Sequence, residues 1–368
     1  MIKVALVHDY LNEFGGAERV LLALSEIWPE APIYTAFCRK DSESYRRFKG
    51  KKIITSWAQK IPWFKEKLYS PLRFLAPKIW GSFEKQLADH DIVISSSSWY
   101  ITKGFNDICY CHTPPRWLYG YKTSQDWQRF WLVRVYATIV GYFMRHYDFQ
   151  QAQKVKYFIA NSKETKRRIE KFYRRESVVI YPPIDLPHFA KGYAGAKRDY
   201  YLIVSRLVGS KGIELGVEAA KKLGFKLKIV GEGPLKIEPE KNIQVLGQVN
   251  DQELGRLYSG AKAFLALAKD EDFGITPLEA MACGTPVIAF NGGGYKETVV
   301  DPTSRKASRG AGATGLFFDD YSVKSLMQAI KKFEKMKFKQ EDCFEQAKKF
   351  NKERFKQEIR EFVESKLK

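Results

Sequence analysis

The chain has 368 residues but only five cysteines, an odd number with no repeated spacing and no Cys-x-x-Cys pair. That excludes a disulfide framework and a thiolate zinc site, and the expected compartment is a reducing cytosol. Long apolar runs are missing as well. The longest uncharged apolar stretch, residues 135–144, is about half of what a spanning helix needs. Met1-Ile2-Lys3-Val4-Ala5-Leu6-Val7 leads straight to Asp9 and lacks the architecture of a secretory signal. No repeat of roughly 20–50 residues and no low-complexity tract is present. Acidic side chains are in deficit: 62 Lys and Arg against 42 Asp and Glu leave a formal net charge of +20. Such a surplus favours anionic partners, namely nucleotides, nucleic acid or an acidic membrane face. No RNP, KH or zinc-finger pattern occurs, so nucleic acid is not the expected partner.

What is there describes a globular protein, 45% apolar and 28% charged. Its length argues for two domains. Residues 3–7 read as a buried strand, followed by a loop ending in Gly15-Gly16 and a helix from Ala17 to about Ile27. Strand, glycine loop and helix in that order suit a doubly wound α/β domain with parallel strands. Further strands are expected at 91–94, 157–160 and 178–180, with Ser162 as the N-cap of a following helix. Tyr181-Pro182-Pro183-Ile184-Asp185 breaks the pattern, and the chain through Gly195 has a linker's composition. A second α/β series follows, with strands expected at 201–204, 226–230, 243–246, 263–267 and 286–290. From Val323 the chain reads as helical and highly charged to its end. The expected organisation is a Rossmann-like domain over 1–190, a second over 191–345, and a helix over 346–368 returning to the first. Two such domains imply a cleft, lined by the carboxyl ends of the strands.

The most informative stretch runs from Glu271-Asp272-Phe273-Gly274-Ile275-Thr276-Pro277-Leu278-Glu279 through Ala280-Met281-Ala282-Cys283-Gly284-Thr285-Pro286-Val287. Thr276 reads as an N-cap, Pro277 as the first helical residue and Glu279 as the third. On their own, Thr276 and Glu279 are a capping box, a device that starts helices. The exposed helix start is also a ready anion site. The larger pattern, two glutamates enclosing seven residues with Phe-Gly inside, resembles the E-x7-E motif of the retaining family-4 glycosyltransferases. That resemblance implies a GT-B fold and a nucleotide-sugar substrate, with Glu271 on the donor sugar's hydroxyls and Glu279 on the ribose. Gly274, Ile275 and Thr276 would meet the donor diphosphate.

Ser205-Arg206-Leu207-Val208-Gly209-Ser210-Lys211-Gly212 resembles the family's G-R-L-x-x-x-K-G stretch, with Ser205 where glycine is common. It implies that Arg206 and Lys211 hold the diphosphate. Two fixed cations there would stabilise the charge that grows on a leaving group. Gly15 and Gly16 are similar to the family's N-terminal glycine loop, and Gly292-Gly293-Gly294 to its later one. His112, in Cys111-His112-Thr113-Pro114-Pro115-Arg116-Trp117, follows an expected strand. A lone histidine is commonly structural. This one matches a histidine that in the family bonds the donor sugar. Asp89-His90-Asp91 and Asp270-Glu271-Asp272 both spell D-x-D, but the first runs into a strand and the second lies inside the E-x7-E pattern. No metal and no cofactor is expected.

Between residues 40 and 78 lie eleven cations: Lys40, Arg46, Arg47, Lys49, Lys51, Lys52, Lys60, Lys65, Lys67, Arg73 and Lys78. Trp57, Trp63, Phe64, Tyr69, Phe74 and Trp80 are interleaved or adjacent, and residues 129–147 add further aromatics and Arg. This describes either a solvated face above an aromatic core or a segment that rests on anionic lipid, at the inner face of the cell membrane. The expectation is a retaining, metal-independent hexosyltransferase, with its donor in the C-terminal half and a saccharide or lipid-linked acceptor. Val7-His8-Asp9-Tyr10-Leu11 and the segment around His112 are similar to mannosyltransferases of bacterial polysaccharide assembly, which implies GDP-mannose. A GT-B nucleotide-sugar epimerase and a basic nucleic-acid-binding protein are the rivals.

Overall fold

A computed structural model describes residues 2–64, 69, 71–98, 107–121, 130–186, 198–308, 310 and 312–367. Lys65, Lys67, Arg129 and most of the expected linker lie outside that set. The chain divides into two compact units. One is Met1–Tyr121 with Trp127–Pro183 and Glu353–Lys368; the other is essentially Ile184–Lys352.

The N-terminal unit is a seven-stranded parallel sheet. Its strands are β1 (Val4–His8), β2 (Ile33–Thr35), β3 (Ile53–Thr55), β4 (Ile92–Ser97), β5 (Ile108–Cys111), β6 (Tyr157–Ala160) and β7 (Val178–Val179). They lie in the order β3-β2-β1-β4-β5-β6-β7. A parallel sheet covered on both faces needs strands apolar on both, which is why β1 reads as an unbroken apolar run. Its side chains alternate. Val4 and Leu6 pack with helix Gly16–Ile27 and with Phe355, Ile359 and Val363 of helix Lys352–Leu367. Ala5 and Val7 pack on the other side with Phe37, Phe64, Trp80 and Met144. On β5, Cys109 and Cys111 share one face, as their spacing predicts, while Tyr110 joins the opposite cluster.

The C-terminal unit is a six-stranded parallel sheet in the order β10-β9-β8-β11-β12-β13. Its strands are β8 (Tyr200–Val204), β9 (Leu227–Val230), β10 (Ile243–Val245), β11 (Ala261–Ala266), β12 (Val287–Phe290) and β13 (Gly315–Phe318). Tyr201, Ile203, Ile229, Leu265, Ile288 and Leu316 form its core with helices Ile213–Leu223 and Val323–Phe333.

Most expected strands stand within one or two residues of their places, and Ser162 caps its helix by accepting from Thr165 N–H at 2.9 Å. β2, β3 and β13 were not foreseen. The charged C-terminal stretch is helical as expected, in three helices, Val323–Phe333, Gln340–Lys348 and Lys352–Leu367. In each sheet the strand order reverses beside the first strand of the unit, between β1 and β4 and between β8 and β11. Ligands of open α/β sheets bind beyond the carboxyl ends of the strands at such reversals.

Candidate active site

In the C-terminal unit the reversal brings two loops together. β8 continues into Ser205 and Arg206, a short 3-10 turn over Gly209–Lys211, and Gly212, which enters helix Ile213–Leu223 with φ +68°. Only glycine fits there. A Cβ would stand 2.5 Å from Leu267 O and 2.4 Å from Tyr321 Oη, besides the cost of the left-handed backbone. Leu267 directly follows β11, so the close approach ties the two loops to each other. Lys211 Nζ then reaches Glu271 Oε2 at 2.7 Å, and both side chains are mostly buried. Tyr295 donates to the same carboxylate oxygen at 3.4 Å. Burial, and next the Glu271 charge, push the Tyr295 phenol well above its ordinary value, so it remains a donor. Arg206 is exposed on the β8 loop.

Gly292, Gly293 and Gly294 close the other side of Glu271. Gly294 N–H donates to Glu271 O at 2.9 Å, and a Cβ on Gly293 would lie 2.2 Å from that same oxygen. Backbone here packs on backbone, which side chains would prevent.

The helix after Glu271 corrects one expectation. It spans Ile275–Ala282 and its N-cap is Gly274 at φ +89°, with no side-chain cap. Thr276 is therefore inside the helix, Pro277 is its third residue rather than its first, and no capping box forms with Glu279. Gly274 permits the earlier start because its left-handed entry suits a residue without Cβ. Pro277 is tolerated because N–H groups of the first turn have no intrahelical acceptor. The free N–H groups thus belong to Ile275 and Thr276, both half-buried. Glu279, a turn further in, is buried and accepts from Tyr258 Oη at 2.9 Å.

The N-terminal unit builds its own cluster at the β1–β4 reversal. Gly15 is the N-cap of helix Gly16–Ile27, and its N–H donates to Glu18 Oε2 at 2.8 Å. Glu18 Oε1 lies 3.5 Å from His8 Nε2. His8 Nδ1 stands 3.0 Å from Ser96 O and 3.2 Å from Ser96 Oγ, and Ser96 Oγ is 2.8 Å from His112 Nε2. Asp9 accepts from Ser98 N–H at 2.7 Å. Burial, then the neighbouring His8, lower His112 to about 3, so it is a neutral ring at physiological pH.

The residues expected from sequence therefore fall into two groups. Lys211, Glu271 and Gly274 come together, with Arg206 on the same loop as Lys211 and Glu279 deeper on its helix. Gly15, Gly16 and His112 belong to the other unit. Sequence reasoning missed His8, Glu18 and Ser96, whose one available signal was a histidine at the end of a strand beside a serine run at the end of another. Among the described residues, no group of three or more His, Cys, Asp or Glu is placed to hold a metal ion.

Comparison with known proteins bears on both units. Residues 14–187 match the family described as Glycosyltransferase Family 4, and residues 187–350 match Glycosyl transferases group 1. Over 151 residues, 39% of the chain, the sequence is 30% identical to an uncharacterised glycosyltransferase of Methanocaldococcus jannaschii, MJ1178, and covers 42% of it. The chain spans less than half the length of this curated relative. Among solved structures, Anabaena HepE in complex with UDP and glucose superposes with a TM-score of 0.70 at 17% identity, covering 99% of this chain and 100% of the other. Sucrose-phosphate synthase from Thermosynechococcus elongatus gives 0.72 at 18% identity, covering 99% of each. At such identities the likeness is one of fold, and that fold is GT-B.

Proposed function

From the match of its two halves to a family-4 and a group-1 glycosyltransferase model, on a GT-B fold, we propose that the protein is a GT-B glycosyltransferase that moves a hexosyl group from a nucleoside diphosphate sugar to a saccharide or lipid-linked acceptor. One observation carries the reading. Lys211 and Glu271, from loops sixty positions apart, meet at 2.7 Å at the sheet's reversal, beside the uncapped start of helix Ile275–Ala282.

Bond cleavage leaves about one extra negative charge on the departing diphosphate. Arg206, Lys211 and the N–H groups of Ile275 and Thr276 meet that charge with fixed positive ends, the preorganisation that lowers such barriers most. Glu271, oriented by Lys211 and Tyr295, accepts from the sugar's hydroxyls, and Glu279 serves the ribose. By the resemblance of the E-x7-E stretch to the retaining family-4 enzymes, configuration is retained without a metal, with attack and departure on one face of the sugar. Gly15 and Gly16 let the backbone approach the donor, and His112 bonds the sugar. GDP-mannose is the first donor to test, because of the segments around His8 and His112.

The experiment is a thermal-shift screen across GDP-, UDP- and ADP-sugars, followed by transfer of labelled hexose in EDTA. A donor present at a hundred times its Kd adds roughly 2.7 kcal/mol of stability. Stabilisation by one nucleotide sugar and turnover without metal is the expected result. Acceptor-free conversion to an epimer, or tight salt-sensitive nucleic-acid binding with no response to any sugar nucleotide, would overturn it.

A further inference from the structure

The reading above uses only the last member of the row Glu18, His8, Ser96 and His112. The other three are buried and polar, and they meet because β1 and β4 pair with His8 opposite Ser96. We propose that Glu18, His8 and Ser96 are positioning residues that fix His112 in one tautomer, with its proton on Nδ1, so that the ring acts as a hydrogen-bond donor and never as a base. The use of that donor rests on the proposed function; the tautomer does not.

The assignment follows from which atoms can donate. A carbonyl only accepts, so His8 Nδ1, 3.0 Å from Ser96 O, carries a proton, and the same N–H leans on Ser96 Oγ at 3.2 Å. Glu18 holds the far side of the His8 ring through Oε1, while its Oε2 is anchored by Gly15 N–H. Among the described residues Ser96 Oγ has two neighbours, His8 Nδ1 and His112 Nε2. The first is a donor. The hydroxyl proton is therefore directed at His112 Nε2, 2.8 Å away, and a neutral ring accepting at Nε2 keeps its proton on Nδ1. Thr165 Oγ1 donates to His112 O at 3.0 Å and fixes the residue's backbone.

The arrangement also has a pH limit. Among the described residues, the ionisable groups facing His8 are Glu18 from the first helix, Asp9 next to it and His112 from beyond β5; β2 offers only Thr35 in register. Burial lowers the His8 pKa, but the Glu18 hydrogen bond and charge, with Asp9, outweigh it and the net shift is upward. Below that raised value both ring nitrogens are protonated and Nδ1–H is assured. Above it the neutral ring has one proton for two acceptors, Ser96 O at Nδ1 and Glu18 at Nε2, and the fraction that keeps it on Nε2 leaves Ser96 free to turn.

The test is long-range 1H–15N spectroscopy of the whole protein with labelled histidine, of which there are five. The expected result is a neutral His112 with its proton on Nδ1 from about pH 5 up to the raised His8 titration, and mixed tautomers above it. Ser96→Ala gives mixed tautomers, Ser96→Thr restores the single one, and Glu18→Gln moves both the His8 titration and the onset of mixing to lower pH. In a transfer assay Ser96→Ala lowers kcat about tenfold, one misdirected hydrogen bond, with a smaller change in donor KM. A wild-type His112 protonated on Nε2, or a Ser96→Ala protein with an unchanged tautomer, overturns the proposal. The spectra need no activity, so failure of the transfer reading leaves this test intact.

Discussion

Glu271 is the residue on which the proposed chemistry turns. Its carboxylate sits between Lys211 Nζ at 2.7 Å and Tyr295 Oη at 3.4 Å. Glu271→Gln keeps the shape and one acceptor oxygen but removes the charge. If the carboxylate supports the transition state as proposed, kcat falls about a hundredfold or more, on the scale of losing one preorganised group in such a site. The fold persists and the melting temperature falls by only a few degrees, because the glutamine keeps an acceptor oxygen for Lys211 in this mostly buried pair. Steady-state rates and a melting curve on the same preparation check both halves, and an unimpaired rate discards the role. Glu271 was legible in the sequence because its whole motif is local. Glu18, His8 and Ser96 were not, since Ser96 comes to His8 across 88 positions through strand pairing that no single segment announces.

At the scale of elements, the site is made by glycines that let one loop lie on another. Gly212 and Gly224 make the point as a pair. Both are left-handed, at φ +68° and +72°, yet a Cβ on Gly212 would collide with Leu267 and Tyr321 whereas one on Gly224 meets nothing within 4 Å. Gly224→Ala therefore pays only the backbone penalty, about 1 kcal/mol. Gly212→Ala adds the collision and lowers the melting temperature further, by several degrees beyond its counterpart. Equal losses would mean that the β8 and β11 loops are not held together there. Glycine also explains the helix start that sequence misplaced. Thr276 has the side chain of a cap, but Gly274 has the backbone freedom, and the chain turns at the glycine. β2 and β3 escaped notice because three residues each carry too short a pattern to reveal a period.

Over the whole molecule, charge and exposed apolar surface coincide in one unit. On helix Trp131–Lys154, the exposed Trp131, Leu132, Val135, Ile139, Tyr142 and Phe143 fall within about a third of the helix circumference. The opposite side packs Val140, Met144 and Tyr147 against Leu72 and Leu75. The same unit carries the basic segment, where Trp63 is 70% exposed and Trp57 and Phe74 are also open. Exposed apolar side chains and a surplus of cations on one unit suit a surface of anionic lipid, the place where a lipid-linked acceptor would be found. No helix among the described residues is long and apolar enough to cross a membrane. Replacing Trp131, Ile139 and Phe143 together by Ser should abolish flotation with vesicles rich in anionic lipid and leave that with neutral vesicles at its low level. Undiminished flotation would assign the face to another use.

The electrostatic claim at the centre is best tested by calorimetry, comparing a nucleoside diphosphate with its monophosphate on the wild-type protein and on Arg206→Ala/Lys211→Ala. The wild type should bind the diphosphate at least about tenfold more tightly, the value of one charge-assisted hydrogen bond or more. In the double variant that preference should largely vanish while monophosphate affinity holds. A preference that survives the loss of both cations would contradict the account.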